Sequence, residues 1–525
     1  MIRNFKLQTS KINVRFAAAI LTGVLLFLSF PPFSVAFCGW IALIPLMIAC
    51  ERISLRRAAK FGWLAGAIFF VSTLYWLRNV TILGAVGLAF YCALYLIPFS
   101  IFIALRRDGW RSANGIKNVL WIAAAAAVWT ASEYVRGNFA TGFPWNPLGV
   151  SQYQQMPLIQ IAELGGVYLI SALMVFANVA AGVTVLQYVA GVRGKKYRAH
   201  IEMLTALALV AGAMSFGMQR ILNPPPAQSE PLYVALIQPN IPEVGNWALA
   251  DPELIYERLE RLTSLAGATT DLSLIIWPET ALPDFVRFSP RSADLVKKMI
   301  SQSGGVPLLA GSMDVLYNKN NEPRFYNASI LFDADAKIQT VYYKQHLVLF
   351  GEYIPFEESV PFISALTPIE SSFRAGRTSP QFALPDEARG FQVLICFEDS
   401  LPYLSRRAAR AGAAWLVNQT NDSWFDPDCG SSQHLANAIF RCVETRRPML
   451  RCTNTGLTAA IDPYGFILRT LAPRTEGFQI ASVTPAVNQP LTFYVRYGDL
   501  FAQACAAVAV ALFITLFIKR KKSNA

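Results

Sequence analysis

The segment FAAAILTGVLLFLSFPPF, residues 16–33, decides the fold class of this chain because it contains no charged residue over its whole length. A helix needs about 20 mainly apolar residues to cross the hydrocarbon core of a bilayer. Four basic residues precede the segment, as in a signal peptide, but PPF stands where a cleavage site of small residues would be expected. We interpret it as an uncleaved membrane anchor.

Similar apolar segments recur along the 525 residues. The chain is 54% hydrophobic and only 15% charged, whereas about 25% of the residues in an average soluble domain are charged. We identify eight segments that could each cross a membrane, at roughly 14–30, 34–50, 60–77, 80–105, 117–135, 166–190, 201–219 and 497–518. The sequence therefore predicts a polytopic α-helical membrane bundle of eight spans.

Basic residues are clustered in alternate loops. Clusters of four lysine or arginine residues precede the first segment, follow the last one, and lie in loops 51–60, 106–117 and 193–198. Because such residues accumulate on cytoplasmic loops, we expect both termini in the cytoplasm. Residues 220–496 then lie outside the cytoplasm. The net charge of +12 reflects these clusters, and it gives no reason to predict a nucleic-acid partner.

The long extracytoplasmic segment alternates strand and helix patterns after the linker NPPPAQSEP, residues 223–231. Strand-like runs lie at 233–240, 272–280, 306–314, 327–333, 391–399 and 413–422, and helical stretches lie at 251–266 and 292–304. This alternation is typical of an α/β domain with buried strands. We predict a membrane domain at 1–220, an α/β domain at 221–495, and an eighth span with a basic tail at 496–525.

Three of these strand-like runs end in side chains that can carry out chemistry. Glu279 follows LSLIIWP, Lys344 follows TVYY, and Cys396 follows FQVLI. A thiolate is a nucleophile, a nearby carboxylate can serve as its general base, and an ammonium group can stabilise the oxyanion of a tetrahedral intermediate. A lone cysteine is more often a packed core residue, so the interpretation depends on all three residues together.

The order of these motifs resembles the nitrilase superfamily, whose members use a Glu–Lys–Cys triad. WPE lies at 277–279, KQHLVLFGEY at 344–353 and CFED at 396–399. The membrane spans narrow the resemblance to the apolipoprotein N-acyltransferase family. It continues through FPPF (30–33), FPW (143–145), IQPNIPEVGNW (237–247), NQTNDSWF (418–425) and RCVETRRPMLRCTNTG (441–456). The resemblance implies that the α/β domain is an αββα sandwich.

The resemblance also implies a role for each matching position. Glu279 would be the base, Lys344 the oxyanion stabiliser and Cys396 the nucleophile. Four further positions would support the site or bind substrate: Glu352, Glu398, Trp247 and Phe397. Leu349 and Phe397 depart from the family pattern, which has proline and tyrosine at these positions, but neither change removes a reactive group.

The activity implied is a ping-pong acyl transfer. An acyl chain would pass from a membrane phospholipid, typically phosphatidylethanolamine, through a thioester on Cys396 to the α-amine of a diacylglyceryl-cysteine at a lipoprotein N-terminus. No cofactor is implied. Two alternatives stay open from the residues alone. One is a membrane-anchored amidase that releases ammonia, and the other is a transporter with a nitrilase-like sensor domain.

The segment LVLFGEYIPFEESVPFISALTPI, residues 347–369, is unusually apolar for a loop. Exposed apolar surface of this extent is typical of membrane or ligand contacts. We predict a lid that enters the bilayer surface and guides an acyl chain to Cys396. Its aromatic residues are Phe350, Tyr353, Phe356 and Phe362.

Three smaller questions remain from the sequence. With only three histidines and no metal-binding spacing, we predict no metal site. A disulfide among Cys429, Cys442 and Cys452 is left open, since sequence does not give its geometry. Glu133 and Arg136, near the outer end of the fifth segment, are either a helix-end pair or a contact for a lipid head group.

Overall fold

The structure is a computed structural model. It describes residues 2–106, 110, 115–189, 200–242, 251–269, 271–354, 372–384, 390–425 and 429–522. The chain divides into two compact units. One comprises Met1–Arg78, Ile82–Pro224 and Tyr497–Ala525, and the other comprises Asn79–Thr81 and Pro225–Arg496.

The first unit is built from helices. In chain order they are α1 (Ile2–Leu28), α2 (Ala36–Ile41), α3 (Ile44–Cys50), α4 (Leu55–Thr73), α5 (Ile82–Ala93), α6 (Ile97–Leu105), α7 (Gly115–Asn138), α8 (Met156–Ile159), α9 (Ala162–Gly165), α10 (Val167–Val189) and α11 (Ile201–Leu222). Helix α1 packs against α3 and α4, and α7 packs against α10.

Four helical segments within the described residues are long and apolar enough to cross a membrane: Ile82–Leu105, Val167–Tyr188, Ile201–Leu222 and Leu500–Ile518. Each overlaps a predicted apolar segment, and Ile201–Leu222 extends past the predicted end at residue 219. Two other predicted segments hold shorter apolar helical stretches, Asn13–Leu28 and Ala36–Cys50. The chain is thus a membrane protein by its apolar helices, while the count of eight spans stays a prediction.

Proline explains why some apolar segments are divided. The predicted segment 34–50 forms α2 and α3, and Pro45 lies in the first turn of α3. Pro98 lies likewise in the first turn of α6, where a 3₁₀ turn at Leu94–Leu96 separates it from α5. Proline has no N–H to donate, so it is tolerated only where a helix begins.

Glu133 and Arg136 hold the loop that follows α7. Glu133 Oε1 accepts hydrogen bonds from Trp129 Nε1 and from the backbone N–H of Leu148, both at 2.7 Å. Arg136 donates to the carbonyl oxygens of Phe143 at 2.9 Å and Trp145 at 2.6 Å. Both side chains are buried, and these contacts are those of a helix end that fixes the next loop.

The second unit contains the strands. In chain order its elements are β1 (Leu232–Gln238), α12 (Pro252–Gly267), β2 (Leu274–Ile276), α13 (Pro290–Gln302), β3 (Leu308–Tyr317), β4 (Pro323–Phe332), β5 (Ile338–Tyr343), β6 (Phe391–Ile395), α14 (Pro402–Arg410), β7 (Trp415–Thr420), α15 (Gly430–Thr445), β8 (Met449–Thr453), β9 (Thr458–Ile461), β10 (Ile467–Leu471), β11 (Gly477–Val483) and α16 (Phe493–Tyr497). The last helix, α17 (Leu500–Lys522), belongs to the first unit, where it packs against α7.

The strands form two sheets. One has the order β11-β1-β2-β3-β4-β5, and the other has the order β10-β9-β8-β7-β6. In the first sheet β1, β2 and β3 are parallel, β4 is antiparallel to β3, and β5 is antiparallel to β4. The carboxyl ends of β2 and β5 therefore lie at the same edge. In the second sheet β6, β7 and β8 are parallel.

The core follows the two-residue period of the strands. Val234 and Leu236 of β1 pack between the sheets, in a cluster with residues of the second sheet such as Val393 and Val417. The alternate residues, Ala235 and Ile237, pack on the opposite face with α12 and α13. Successive side chains of a strand point to opposite faces, so one strand contributes to both layers of the core.

The two predicted helices of this unit begin where their sequences indicate. Asp251 precedes α12, and its side chain accepts the backbone N–H of Glu253 at 3.0 Å. Ser289 precedes α13 and accepts the backbone N–H of Ser292 at 3.3 Å. Such N-cap residues satisfy backbone donors that have no partner inside the helix. Proline follows each cap as the first helical residue.

Candidate active site

The three reactive residues of the sequence lie directly after three strands. Glu279 follows β2 by three residues, Lys344 follows β5, and Cys396 follows β6. Because β2 and β5 end at the same edge of their sheet, Glu279 and Lys344 come together although 64 residues separate them in the chain. Lys344 Nζ lies 3.2 Å from Glu279 Oε1.

Lys344 contacts a second carboxylate as well. Its Nζ lies 2.8 Å from Glu352 Oε1, and its side chain is only 1% exposed. Burial opposes the ammonium charge, but Glu279 and Glu352 outweigh it and raise the pKa of Lys344 well above its ordinary value. Lys344 is therefore a fixed positive charge at neutral pH, available to a developing oxyanion.

Cys396 begins a 3₁₀ turn, Cys396–Ser400, at the end of β6. Its φ of 53° lies in the left-handed region, which is uncommon for a residue other than glycine. Such conformations cluster at functional sites. Burial and then the negative charge of Glu279 raise the pKa of the thiol well above its ordinary value, and Lys344 acts in the opposite sense. The resting cysteine is therefore a protonated thiol that needs a base.

Two asparagines orient Glu279, and sequence reasoning gave neither of them a role. Asn327 Nδ2 donates to Glu279 Oε1 at 2.8 Å and to Glu352 Oε1 at 3.2 Å. The backbone N–H of Asn421 donates to Glu279 Oε2 at 2.7 Å. The only signal for Asn327 was an amide side chain within the otherwise apolar strand pattern of 327–333. Buried polar groups of this kind are almost always hydrogen-bonded.

Glu398 is also buried, and its hydrogen bonds are to backbone N–H groups and to Tyr342. Its Oε2 accepts from the backbone N–H of Ile395 and the hydroxyl of Tyr342, each at 2.8 Å. Its Oε1 accepts from the backbone N–H groups of Gln345 at 2.7 Å and His346 at 3.0 Å. Burial raises the pKa of Glu398, and the backbone hydrogen bonds partly oppose this shift. Glu398 thus ties the end of β6 to the loop that carries Lys344.

The aromatic residues around the site are only partly described. The ring centroids of Phe397 and His346 are 6.0 Å apart. Burial and the charge of Lys344 lower the pKa of His346 to about 4, so its ring is neutral. Leu349 and Phe350 are both exposed, and Tyr353 forms an isolated bridge with Leu349. The predicted residues that lie outside the described part of the chain are Trp247, Phe356 and Phe362.

One question that the sequence left open, a disulfide among three cysteines of this unit, is answered by the structure. Cys429, Cys442 and Cys452 are free thiols, so the disulfide alternative is not realised. Within the described residues, no group of three or more His, Cys, Asp or Glu side chains could hold a metal ion.

Models of two protein families match the chain, one within each of the two units. A family model described as the apolipoprotein N-acyltransferase N-terminal domain matches residues 22–180, and one described as carbon-nitrogen hydrolase matches residues 233–491. A protein of Geobacter metallireducens named apolipoprotein N-acyltransferase is 35% identical over 521 residues, which cover 96% of this chain and 95% of that protein. One of the same name from Brucella melitensis is 32% identical over 504 residues, covering 91% of each.

Solved structures are more distant. Saccharomyces cerevisiae Nit3, a member of branch 10 of the nitrilase superfamily, has 19% identity and a TM-score of 0.35, and the match covers 52% of this chain and 96% of that one. A carbon-nitrogen hydrolase from Helicobacter pylori has 14% identity and a TM-score of 0.36, with 48% and 89% covered. The family-model match gives the second unit the nitrilase-like fold that the motif order predicted.

Proposed function

The chain belongs to the apolipoprotein N-acyltransferase family, and on that premise we propose that Glu279, Lys344 and Cys396 perform its acyl transfer. The enzyme is an acyltransferase of lipoprotein maturation, and its substrates are a lipid and a lipoprotein. We propose phosphatidylethanolamine as the acyl donor. The acceptor is the α-amine of the diacylglyceryl-cysteine at the lipoprotein N-terminus.

In the first half-reaction Glu279 takes the proton of the Cys396 thiol as its sulfur attacks the ester carbonyl carbon of the phospholipid. The carbonyl oxygen becomes an oxyanion, which the ammonium group of Lys344 stabilises. The tetrahedral intermediate then loses the glycerol oxygen, and Glu279 returns the proton to that oxygen. Lysophospholipid leaves, and the acyl chain stays as a thioester on Cys396.

In the second half-reaction the neutral α-amine of the lipoprotein attacks the thioester carbonyl. Lys344 again faces the oxyanion, and Glu279 takes the proton that the nitrogen loses. The carbon–sulfur bond breaks, and the thiolate recovers a proton from Glu279. The products are an amide on the lipoprotein and the free thiol. Water must be kept from the thioester during this step, since it would hydrolyse the intermediate.

The membrane unit explains why this chemistry can use lipids. We propose the division into residues 1–220, 221–495 and 496–525, with eight spans, cytoplasmic termini and a catalytic domain outside the bacterial inner membrane. Both substrates would then present their reacting groups at the interface where the domain sits, so that the bundle supplies proximity and orientation.

We propose further that the segment after Lys344 is a lid for the acyl chain, with Trp247 at the substrate entrance. The exposed apolar side chains of Leu349 and Phe350 support this proposal, because they lie between Lys344 and Glu352 in the chain and are not packed in the core. Tyr353, Phe356 and Phe362 would extend the same apolar surface.

One observation carries the proposed chemistry: the buried Lys344 ammonium contacts the carboxylates of Glu279 and Glu352, and its charge favours the Cys396 thiolate. The test is intact-protein mass spectrometry of the full-length enzyme after incubation with phosphatidylethanolamine. We expect the wild type to gain the mass of one acyl group, and Cys396→Ala to gain none. An unmodified wild type that instead releases ammonia from a small amide would identify the amidase alternative.

A further inference from the structure

Four ionisable side chains form a second buried cluster near Cys396. Asp399, Asp422, His434 and Arg451 come from four different elements, and none of the four is exposed. Asp399 lies in the turn that begins with Cys396, Asp422 follows β7, His434 lies on α15, and Arg451 lies on β8. We call this group the rear network.

Arg451 is at the centre of the rear network. One of its terminal nitrogens donates to Asp399 Oδ2, and the other donates to Asp422 Oδ2 at 2.9 Å. His434 lies between the same two acids. Its Nε2 is 2.7 Å from Asp399 Oδ1, in ion-pair contact rather than in hydrogen-bond alignment, and its Nδ1 is 3.1 Å from Asp422 Oδ1.

Arg451 is the permanent positive charge of the rear network. Burial disfavours the Asp422 carboxylate, yet Arg451 and the other contacts of Asp422 outweigh burial and hold its pKa well below the ordinary range. The Arg451 nitrogen that donates to Asp422 also lies 2.7 Å from Nδ1 of His434. Because an arginine N–H can only donate, Nδ1 of His434 accepts in this arrangement, and His434 holds Arg451 in place. A buried carboxylate without a counter-charge would be costly.

The rear network is joined to the nucleophile by two side chains of β7. Asn418 accepts a hydrogen bond from Arg451 at 2.8 Å and donates one to the carbonyl oxygen of Cys396 at 3.1 Å. Thr420 donates its single hydroxyl proton to Asp422 Oδ1 at 2.9 Å. The same hydroxyl favours the Cys396 thiolate when it donates to the sulfur instead. The negative charge of Asp422 itself acts against that thiolate. The counter-charge on Asp422 therefore affects Cys396 directly.

We propose that Arg451 and His434 are positioning residues for acyl transfer: Arg451 holds the left-handed turn at Cys396 and neutralises nearby carboxylate charge so that the thiolate can form, and His434 holds Arg451. This inference rests on the proposed role of Cys396 as the nucleophile. Arg451 fixes the turn through Asp399 and Asn418. His434 accepts from the Arg451 nitrogen that also donates to Asp422.

The experiment measures how fast iodoacetamide alkylates Cys396 in the full-length enzyme between pH 6 and 10, with the modified peptide quantified by mass spectrometry. Four variants are compared with the wild type: His434→Gln, Arg451→Met, Arg451→Lys and Arg447→Met. Arg447 is a matched control because it is buried and donates to the carbonyl oxygens of Ala413 and Gln489 rather than to the rear network.

We expect His434→Gln and Arg451→Met to be alkylated at least about tenfold more slowly than the wild type at each pH below the raised pKa of Cys396, where the rate follows the thiolate population. Arg451→Lys should recover part of the lost rate, and Arg447→Met should show the wild-type profile. Thioester formation should slow at least tenfold in the first two variants, with the KM for phospholipid within twofold of wild type. If these variants keep the wild-type pH profile and lose only thermal stability, the proposal is wrong.

The two proposals fail in different ways. Absence of any acyl-thioester on the wild type would overturn the proposed function, but the alkylation profile would still test the coupling between the rear network and Cys396. A wild-type enzyme that forms the thioester while all variants share one alkylation profile would overturn only the rear network.

Discussion

The two buried clusters near Cys396, the triad side and the rear network, balance their charges differently. On the triad side a single ammonium group, Lys344, serves the two carboxylates of Glu279 and Glu352, and Glu352 is partly exposed. In the rear network the guanidinium of Arg451 serves Asp399 and Asp422 through separate nitrogens, and none of these side chains is exposed. Sharing one Lys344 nitrogen leaves Glu279 able to accept a proton, whereas Arg451 fixes each of its acids. We propose that this difference separates the groups that react from the groups that hold them.

The largest expected effect comes from breaking the triad side. Glu279→Gln keeps the shape of the side chain but cannot take the thiol proton, and we expect thioester formation to fall by about 10²–10⁴-fold, as for the loss of a general base. Lys344→Met should cost about 10²–10³-fold through loss of oxyanion stabilisation. Single-turnover mass spectrometry of the acyl-enzyme measures both rates.

Glu322→Gln is the control for these two variants, because Glu322 is an exposed glutamate whose described side-chain contact is with Asn318 in the same turn. It should react at the wild-type rate. Wild-type rates of acylation in Glu279→Gln would show that another group takes the proton.

The next effect concerns a carboxylate that supports the site without reacting. Glu398 accepts four hydrogen bonds, three of them from backbone N–H groups. A glutamine at 398 turns one oxygen into a donor that faces other donors. We expect Glu398→Gln to lose on the order of 3 kcal/mol of stability, since buried donors are left unpaired. The thermal unfolding midpoint in detergent checks this, and an unchanged midpoint contradicts it.

Acid unfolding distinguishes the two clusters, because folding lowers the pKa of Asp422 in the rear network and raises the pKa of Glu398 beside the triad. The pKa of Asp422 is depressed in the folded protein, so its contribution to stability is present above the ordinary aspartate pKa and is lost as the pH falls below it. A single depressed aspartate is worth on the order of 2 kcal/mol at neutral pH. The pKa of Glu398 is raised, so its contribution is lost instead as the pH rises through that raised value.

We therefore expect the unfolding midpoint of the wild type to fall between pH 5 and pH 3, and Asp422→Asn to flatten that dependence while lowering stability at pH 7. Asp335→Asn is the control, since the side chain of Asp335 is 73% exposed and pairs only with Lys337 among the described ion pairs. An equal acid slope in wild type and Asp422→Asn would contradict the assignment of this slope to the rear network.

Much of the triad could be predicted from the sequence, because each residue follows an apolar run. Glu279, Lys344 and Cys396 each stand where such a run ends. Strand ends at one sheet edge converge, which accounts for Glu279 and Lys344, whereas Cys396 follows a strand of the other sheet. The remaining polar groups could not be assigned in this way. Asn327 lies inside β4, and Arg451 lies inside β8, where a sequence pattern shows only that a polar residue interrupts a buried strand.

Strand positions could be predicted from the sequence, but the pairing of strands could not. The predicted runs at 233–240, 306–314 and 413–422 overlap the observed strands β1, β3 and β7. The sequence did not indicate that β1 pairs with β11, about 245 residues later. It also did not place β6 in a sheet separate from β5. Pairing over such distances depends on how two sheets stack their buried faces, and local periodicity carries no information about partners.

The smallest expected effect concerns the lid. Phe350 is 39% exposed and follows Lys344 by six residues. If it contacts lipid, Phe350→Ser removes apolar surface from that contact and should raise the apparent KM for phosphatidylethanolamine in mixed micelles by about fivefold, which corresponds to about 1 kcal/mol. Its φ of 61° is retained by serine no worse than by phenylalanine, so the fold should not change.

Phe466→Ser is the matched control, since Phe466 is 38% exposed in the turn between β9 and β10. The two variants should have equal thermal stability within about 0.5 kcal/mol, the usual range for surface substitutions. A water-soluble thioester or short-chain ester should acylate both at the wild-type rate, because it needs no apolar contact with the lid. If Phe350→Ser and Phe466→Ser give the same KM for phosphatidylethanolamine, Phe350 does not contact the acyl donor, and the lid must be sought in other residues.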